Sequence, residues 1–222
     1  MKRSFLLCSA FILAICWSGP SRATASTDGA EIKIHGAGFF KDRLLVQQLK
    51  AIYQEDRAYF EPVDIEDAAL IIISDMQSNG YLEAKTIGTL TETSGAISSV
   101  EWDKALDVFL PANTKAVLVE FEITPGPRFY YNSLEINENP VISKEDAEAF
   151  FYKEPYFFGS NESKVFTPTQ FTSGAQNLRA QLENMGYQEA KVFSEVLNLD
   201  PETGAVATQL KIEEGPLFLL GS

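Results

Sequence analysis

Cysteine is nearly missing. The 222 residues hold two, Cys8 and Cys16, and both sit in an N-terminal apolar stretch. Beyond that stretch no disulfide can staple the fold, and no thiol can serve as nucleophile or metal ligand. Histidine is as scarce: His35 stands alone beside Gly36 at a predicted strand end, with no Cys to complete a nucleophile pair. Basic residues are in deficit, 18 against 31 acidic, for a formal net charge of −13. Such a surface repels phosphate backbones and anionic headgroups, which argues against nucleic-acid binding. No His-Glu-x-x-His, phosphate-loop or Gly-x-Ser-x-Gly pattern occurs. Gly36-Ala37-Gly38 is too short for a dinucleotide loop and reads as a turn. Carboxylates are plentiful but scattered over turns and helix starts, where capping and solubility account for them. No catalytic or metal-ligating residue is assigned.

The N-terminus reads as a secretory leader. Lys2 and Arg3 are followed by an apolar run from Phe5 to Trp17, and Ala23-Thr24-Ala25 supplies a small-x-small cleavage pattern after which residues 1–25 are removed. A lipoprotein anchor at Cys16 fits less well, because Ile15 stands where a small residue is needed. Removing Lys2, Arg3 and Arg22 leaves 15 basic residues against 31 acidic, a net charge of −16. An exported domain without disulfides rests on its core alone and points to a bacterial periplasm. At 45% apolar and 22% charged, the composition is that of a globular protein.

Two patterns then occur twice. Gly-Tyr-x-Glu-Ala-Lys stands at Gly80–Lys85 and Gly186–Lys191. Val-x-x-x-Phe/Leu-x-Ile-x-x-Gly-Pro stands at Val117–Pro127 and Val206–Pro216. The chain is a tandem repeat. In the first copy, alternation predicts a strand over Glu31–His35. A helix follows from Asp42 to about Tyr53, with Leu45, Leu49 and Ile52 at helical spacing. A second helix is capped by Asp64 and carries a buried stripe of Ile65, Ala69, Ile72 and Met76. Gly80 ends it, and strands follow over Tyr81–Leu90 and Val117–Ile123. In the second copy Ser133–Asn137 is a strand, and Ser143 caps a short helix holding Ala147, Phe150 and Phe151. Thr167, Pro168 and Gln170 start a helix whose stripe is Phe171, Ala175, Leu178, Leu182 and Met185. Gly186 stops it. Strands over Tyr187–Leu197 and Val206–Ile212 flank a turn at Asp200–Gly204.

The fold class expected is α+β: two tandem β-α-α-β-β modules, each a three-stranded mixed sheet covered on one face by two helices. The Gly-Tyr elements lie 106 residues apart and the Gly-Pro elements 89, so the first copy holds 17 extra residues within 91–115. Trp102, Leu106 and Phe109 there suggest a short apolar helical face, either packed on its own module or serving as a partner-contact flap. In the second copy Tyr156-Phe157-Phe158 is expected to tuck beneath the helices, with an exposed aromatic loop as the alternative.

The order of elements resembles the POTRA (polypeptide-transport-associated) family. The resemblance is carried by Gly-Tyr before the second strand and by Ile123-Thr124-Pro125-Gly126-Pro127-Arg128-Phe129-Tyr130 running into Asn132-Ser133-Leu134-Glu135-Ile136. It is nearest to the arrays of BamA/TamA-type outer-membrane protein assembly factors and covers nearly all of residues 31–222. It implies modules over 26–127 and 128–217, with 218–222 as the start of a truncated further module. It further implies a C-terminal membrane β-barrel missing from this chain. Location at the periplasmic face of the outer membrane follows, with no cofactor and no enzymatic role. Partners are unfolded outer-membrane protein clients or accessory assembly subunits.

The resemblance places the second strand of each module at a sheet edge, where an extended client adds by main-chain pairing. Those strands hold Lys85, Thr86 and Ile87 in the first module and Lys191, Val192, Phe193, Ser194, Glu195 and Val196 in the second. The amide of Phe193 is expected to be one of the pairing donors. Gly126, Pro127 and Arg128, with Gly215 and Pro216, form the module junctions. Two other readings stay open: a structural docking module of an envelope complex without client binding, and more remotely a periplasmic hydrolase using a carboxylate pair.

Overall fold

Each half of the chain builds its own sheet. The computed structural model describes residues 29–53, 57–137, 139, 141–152 and 164–218. The stretch 1–25 read as a leader, Tyr156–Phe158 and positions 219–222 lie outside the described residues.

In the first half, β1 (Glu31–His35) sends Ile32 and Ile34 into the core, as its alternation requires. Helix α1 (Phe39–Ile52) begins three residues before Asp42. Gly38 at the cap position has φ of 104°, which only glycine adopts readily, and the Asp42 carboxylate accepts the Ala37 N–H at 2.9 Å. Leu45 and Leu49 are buried as expected, whereas Ile52 is exposed. In helix α2 (Pro62–Ser78) the cap is Glu61 and not Asp64. Asp64 is the third helical residue and completes a capping box by accepting the Glu61 N–H at 2.9 Å. Pro62 fits there because the first helical residue needs no amide.

The predicted strand at Tyr81 starts later. Residues 81–84 form a turn closed by Ala84 N–H on the Tyr81 carbonyl, and β2 runs Lys85–Glu92. The second copy does the same: Ala190 N–H bonds the Tyr187 carbonyl, and β6 runs Lys191–Leu199.

The first sheet departs from the three-stranded expectation. Glu92 and Gly95 close a tight turn into an additional strand, β3 (Ile97–Trp102), and β4 (Ala116–Thr124) follows. The strand order is β1-β4-β2-β3, with β1 parallel to β4 and the other pairs antiparallel. No helix forms between 91 and 115, and the predicted apolar helical face is absent. Trp102 is buried at the end of β3, Leu106 packs on the core, and Phe109 is exposed. Residues 103–115 instead fold back along the module. The Trp102 indole N–H bonds the Val108 carbonyl at 3.0 Å, and Glu66 of α2 accepts the Leu110 N–H at 2.7 Å.

The second sheet has the three strands expected: β5 (Tyr130–Ile136), β6 and β7 (Ala205–Glu213), in the order β5-β7-β6. Helix α3 (Lys144–Glu148) is capped by Ser143, and α4 (Pro168–Asn184) by Thr167, whose hydroxyl accepts the Gln170 N–H at 3.1 Å. Phe171, Ala175, Leu178 and Leu182 line its buried face, while Met185 sits at the C-terminal cap and is exposed. A cluster of Tyr131, Phe151, Phe166 and Phe171 fills the space between sheet and helices.

The sequence repeat is matched by the pairing register. Thr86 faces Ile123, Gly88 faces Phe121 and Leu90 faces Val119 in the first sheet. The positions 106 and 89 residues later pair identically: Val192 with Ile212, Ser194 with Leu210, Val196 with Thr208. The two modules share this strand pairing, and among the described residues the first carries a strand that the second lacks.

Candidate edge-strand interface and module joint

Strand β2 is not an edge. It lies between β4 and β3, so Lys85, Thr86 and Ile87 are in a strand paired on both sides. The inserted β3 occupies the position that the resemblance assigned to a client. Lys85 Nζ lies 2.9 Å from Glu101 of β3, and that carboxylate, by hydrogen bond and charge, raises the ammonium's pKa.

Among the described residues, strand β6 is an edge, paired only with β7. Which of its amides face outward follows from the far side of β7. The Asn137 side chain, continuing β5, accepts the Ile212 N–H at 2.6 Å and donates to the Ile212 carbonyl at 3.1 Å. Ile212 therefore points both its groups toward β5. Alternation along a strand turns Lys211 and Glu213 toward β6, and with them their partners Phe193 and Lys191 toward β7. The N–H and C=O groups of Val192, Ser194 and Val196 are left facing the open edge. This corrects the expectation for Phe193, whose amide belongs to the β6–β7 ladder and whose side chain is what it exposes, at 52%. Lys211 stands over that ring at 6.0 Å and also holds Glu213 at 2.7 Å, lowering the carboxylate's pKa. Glu195 is likewise exposed and, like Phe193, paired inward through its backbone.

The strand carries only part of the usual edge protection, the exposed charges of Lys191 and Glu195. It has nine residues without proline, and Phe193, Val196 and Leu197 are exposed large apolar side chains. A register shift between Val196 and Asn198 interrupts it only near its end.

The residues at the two junctions are tied to their modules by backbone hydrogen bonds. Gly126 and Gly215 share a left-handed backbone, with φ of 70° and 69°, and each lies against the carboxylate residue of its own Gly-Tyr element, Glu83 and Glu189. The amide of Phe129 bonds the Gly80 carbonyl at 2.7 Å, and Phe218 repeats this on Gly186 at 3.0 Å. Arg128 adds a bond from Nε to the Asn79 carbonyl at 3.0 Å and sits over the Tyr81 ring at 5.8 Å. From the other side, the Phe129 carbonyl accepts the Phe166 N–H, and Gly204 of the β6–β7 turn accepts the Tyr130 N–H. Pro127 and Pro216 follow the two glycines without an amide to satisfy. Phe129 is fully buried in the second core, whereas its counterpart Phe218 is 50% exposed.

Beside the joint lies a cleft of about 690 Å³, between the end of α2 (Ser74, Ser78) and the start of α4 (Thr167, Gln170). Lys104 at its rim is already paired with Glu83 at 2.7 Å. Among the described residues no group of three or more His, Cys, Asp or Glu is placed to hold a metal, and no helix is long and apolar enough to cross a membrane.

Residues 129–215 match a protein-family model described as "POTRA: Surface antigen variable number repeat". That span is the second module, and the resemblance read from its sequence is borne out there. No match is found among curated proteins. Among solved structures, the chain is similar to the N-terminal domain of Omp85 from Thermosynechococcus elongatus, at 15% identity and a TM-score of 0.44, over 83% of this chain and 62% of that one. It is also similar to BamA POTRA3-5 of Haemophilus influenzae, at 18% identity and 0.42, over 86% and 67%. A third is POTRA1-2 of the periplasmic domain of Omp85 from Anabaena, at 15% and 0.41, over 86% and 96%. The chain thus spans less than two thirds of the Thermosynechococcus structure.

Proposed function

We propose that this chain is the periplasmic part of an outer-membrane β-barrel assembly or translocation factor, and that it holds unfolded clients by adding an extended segment to β6. The observation that carries this is the open edge at Val192, Ser194 and Val196, whose outward backbone groups repeat at every second residue beside exposed apolar side chains. Main-chain pairing supplies affinity without demanding one sequence, which suits a carrier of many unfolded barrel strands. No step of this work calls for a nucleophile, a metal or a cofactor. The acidic surface keeps the modules soluble and off anionic lipid while clients are exchanged.

Two features support placement in an array attached to a membrane barrel. One is the leader read from residues 1–25. The other is the repeated joint, where the Phe218 N–H bonds the Gly186 carbonyl as the Phe129 N–H bonds that of Gly80.

The test is a titration of the full chain with fluorescent unfolded segments of outer-membrane barrels. Saturable binding, weakened by Ser194→Pro, is the expected result. Segments that fail to bind at any concentration while the chain stays folded would sink the proposal.

One observation favours the docking reading. Phe39 and Phe40 are 76% and 86% exposed at the start of α1, with Leu44 and Ile52 exposed further along the helix. Retention of a folded envelope partner by the native chain and not by Phe40→Ser, with no binding of unfolded segments, is the result that reading requires.

A further inference from the structure

The two modules differ most where their sequences align best. Thr86, Gly88 and Leu90 point into the first module beneath β3, and all three are buried. Their counterparts are Val192, Ser194 and Val196 on β6. Val192 is half-buried, Ser194 is exposed, and Val196 is 40% exposed where Leu90 is fully covered. The register against the neighbouring strand is the same in both sheets, so the difference does not come from a slip in strand pairing. Among the described residues, the second module has no strand in the place beside β6 that β3 takes beside β2 in the first.

That strand shows how the position is filled. It runs antiparallel to β2, with Trp102 opposite Thr86, Val100 opposite Gly88 and Ser98 opposite Leu90. Its side chains at these positions turn toward the helices, and Trp102 lies diagonally over Gly88. We infer that β3 is a built-in stand-in for the strand that β6 receives. The first module is closed by its own hairpin, and the second takes an extended amphipathic segment antiparallel to β6, in the register that β3 shows on β2. This rests on the strand-addition reading above and adds stoichiometry, direction and a size limit to it.

The size limit comes from one residue. A β-carbon on Gly88 would stand 2.7 Å from Cζ3 of the Trp102 ring, so the indole fits only over glycine. Ser194 holds the equivalent place on β6. An incoming indole opposite Val192 meets the Ser194 β-carbon, whereas a Leu or Val side chain does not extend across it. The second module therefore accepts a branched aliphatic residue opposite Val192 and discriminates against tryptophan.

The experiment uses the full chain and two peptides of about ten residues, the length of a membrane-spanning strand. Both are built around the β3 sequence Ile97–Trp102, one keeping its Trp and the other carrying Leu in its place. Amide hydrogen exchange is followed residue by residue, and affinity by anisotropy. The expected result is slowed exchange at Val192, Ser194 and Val196, with β2 and β3 unchanged and one peptide per chain. The Leu form binds about tenfold tighter than the Trp form, and Ser194→Gly removes that gap. Slowed exchange on β3, or loss of β3 protection through displacement, overturns the inference while leaving strand addition intact. So does protection of β6 with a Leu preference that Ser194→Gly fails to move, because the register is then different. No protection anywhere brings down both the inference and the reading beneath it. Replacing residues 93–115 by the Asp200–Gly204 turn, with Gly88→Ser, opens the first module and raises the stoichiometry to two. Should that variant not fold, the exchange pattern of the native chain still decides.

Discussion

The indole of Trp102 occupies the space that a side chain at Gly88 would need, two residues along the neighbouring strand. The ring also meets Phe121 at 6.1 Å between centroids and anchors the returning segment through Val108. A glycine in a strand interior costs conformational entropy, and here it is retained because a large ring lies against the backbone.

Trp102→Ala should destabilise the first module by about 3–5 kcal/mol, the range for truncating a buried aromatic side chain. Gly88→Val should cost about 1–3 kcal/mol by overpacking against the same ring. Urea unfolding with tryptophan-independent detection measures both. In the double variant Trp102→Ala with Gly88→Val the two effects should partly cancel, since the added methyls enter the vacated space. Strict additivity in that cycle would disprove the contact.

Proline at two adjacent positions of β6 should act differently. Ser194→Pro removes an amide that faces the open edge, so the melting temperature should move little. Client affinity should fall about tenfold, the equivalent of one lost hydrogen bond of the stronger kind. Phe193→Pro removes an amide of the β6–β7 ladder and should cost the second module about 1–3 kcal/mol, the range for leaving the partner carbonyl unpaired. Calorimetry and binding on the two variants check this. If the melting effects are reversed, the assignment of outward-facing groups is wrong.

Gly80→Ala should loosen the joint. Its φ of 90° is strained for any other residue, and a β-carbon there would press on the Val165 side chain at 2.6 Å and the Phe129 carbonyl at 3.3 Å. A cost of about 1–3 kcal/mol is expected. Residual dipolar couplings should show the modules losing their fixed relative orientation. Gly95→Ala is the control: it has a similar φ of 83° but nothing within 4 Å, so it should carry only the backbone part of the cost. Unchanged couplings in Gly80→Ala would mean the orientation is held elsewhere.

Alkaline pH should unfold both modules. Burial, reinforced by the Asp64 and Asp67 carboxylates, pushes the Tyr53 hydroxyl from 10.0 up to about 12. Burial, with a smaller contribution from Tyr152, raises Tyr131 further. A folded-state pKa above the unfolded value means that the stabilisation is complete below about pH 10 and is lost as pH rises through the folded value. Stability should therefore be flat from neutral pH to about 10 and fall steeply above it. Tyr131 also keeps its buried hydroxyl without a hydrogen-bond partner among the described residues. Tyr131→Phe removes that unpaired group and should add about 1 kcal/mol while moving the alkaline transition upward. A loss of stability in that variant would show that the hydroxyl is satisfied in solution.

Much of this protein is set by local chemistry and so could be read in one dimension. The repeat and the helices follow from short-range rules: two pairs of motifs at fixed offsets, and proline, threonine and glycine at helix ends. The alignment of Gly80 with Gly186 and of Gly126 with Gly215 already contains the strand register that the sheets display. The glycine at 88, inside an otherwise β-prone strand, was a legible sign of close approach, and Thr93-Ser94-Gly95 of a tight turn. Each is weak alone, and the apolar spacing of Trp102, Leu106 and Phe109 fitted a helix as well.

Tertiary structure decided which edge stays open. Whether β2 or β6 can receive a strand depends on where an insertion lands after it leaves the turn, and that is a long-range packing choice made by Trp102 over Gly88. Which amides of β6 face outward is read from across one intervening strand, where the Asn137 side chain clamps Ile212 and marks the alternation of β7. Sequence periodicity specifies which side chains share a face, because that follows from the two-residue repeat of a strand. It does not specify which neighbour takes the backbone groups, because every residue carries the same donor and acceptor.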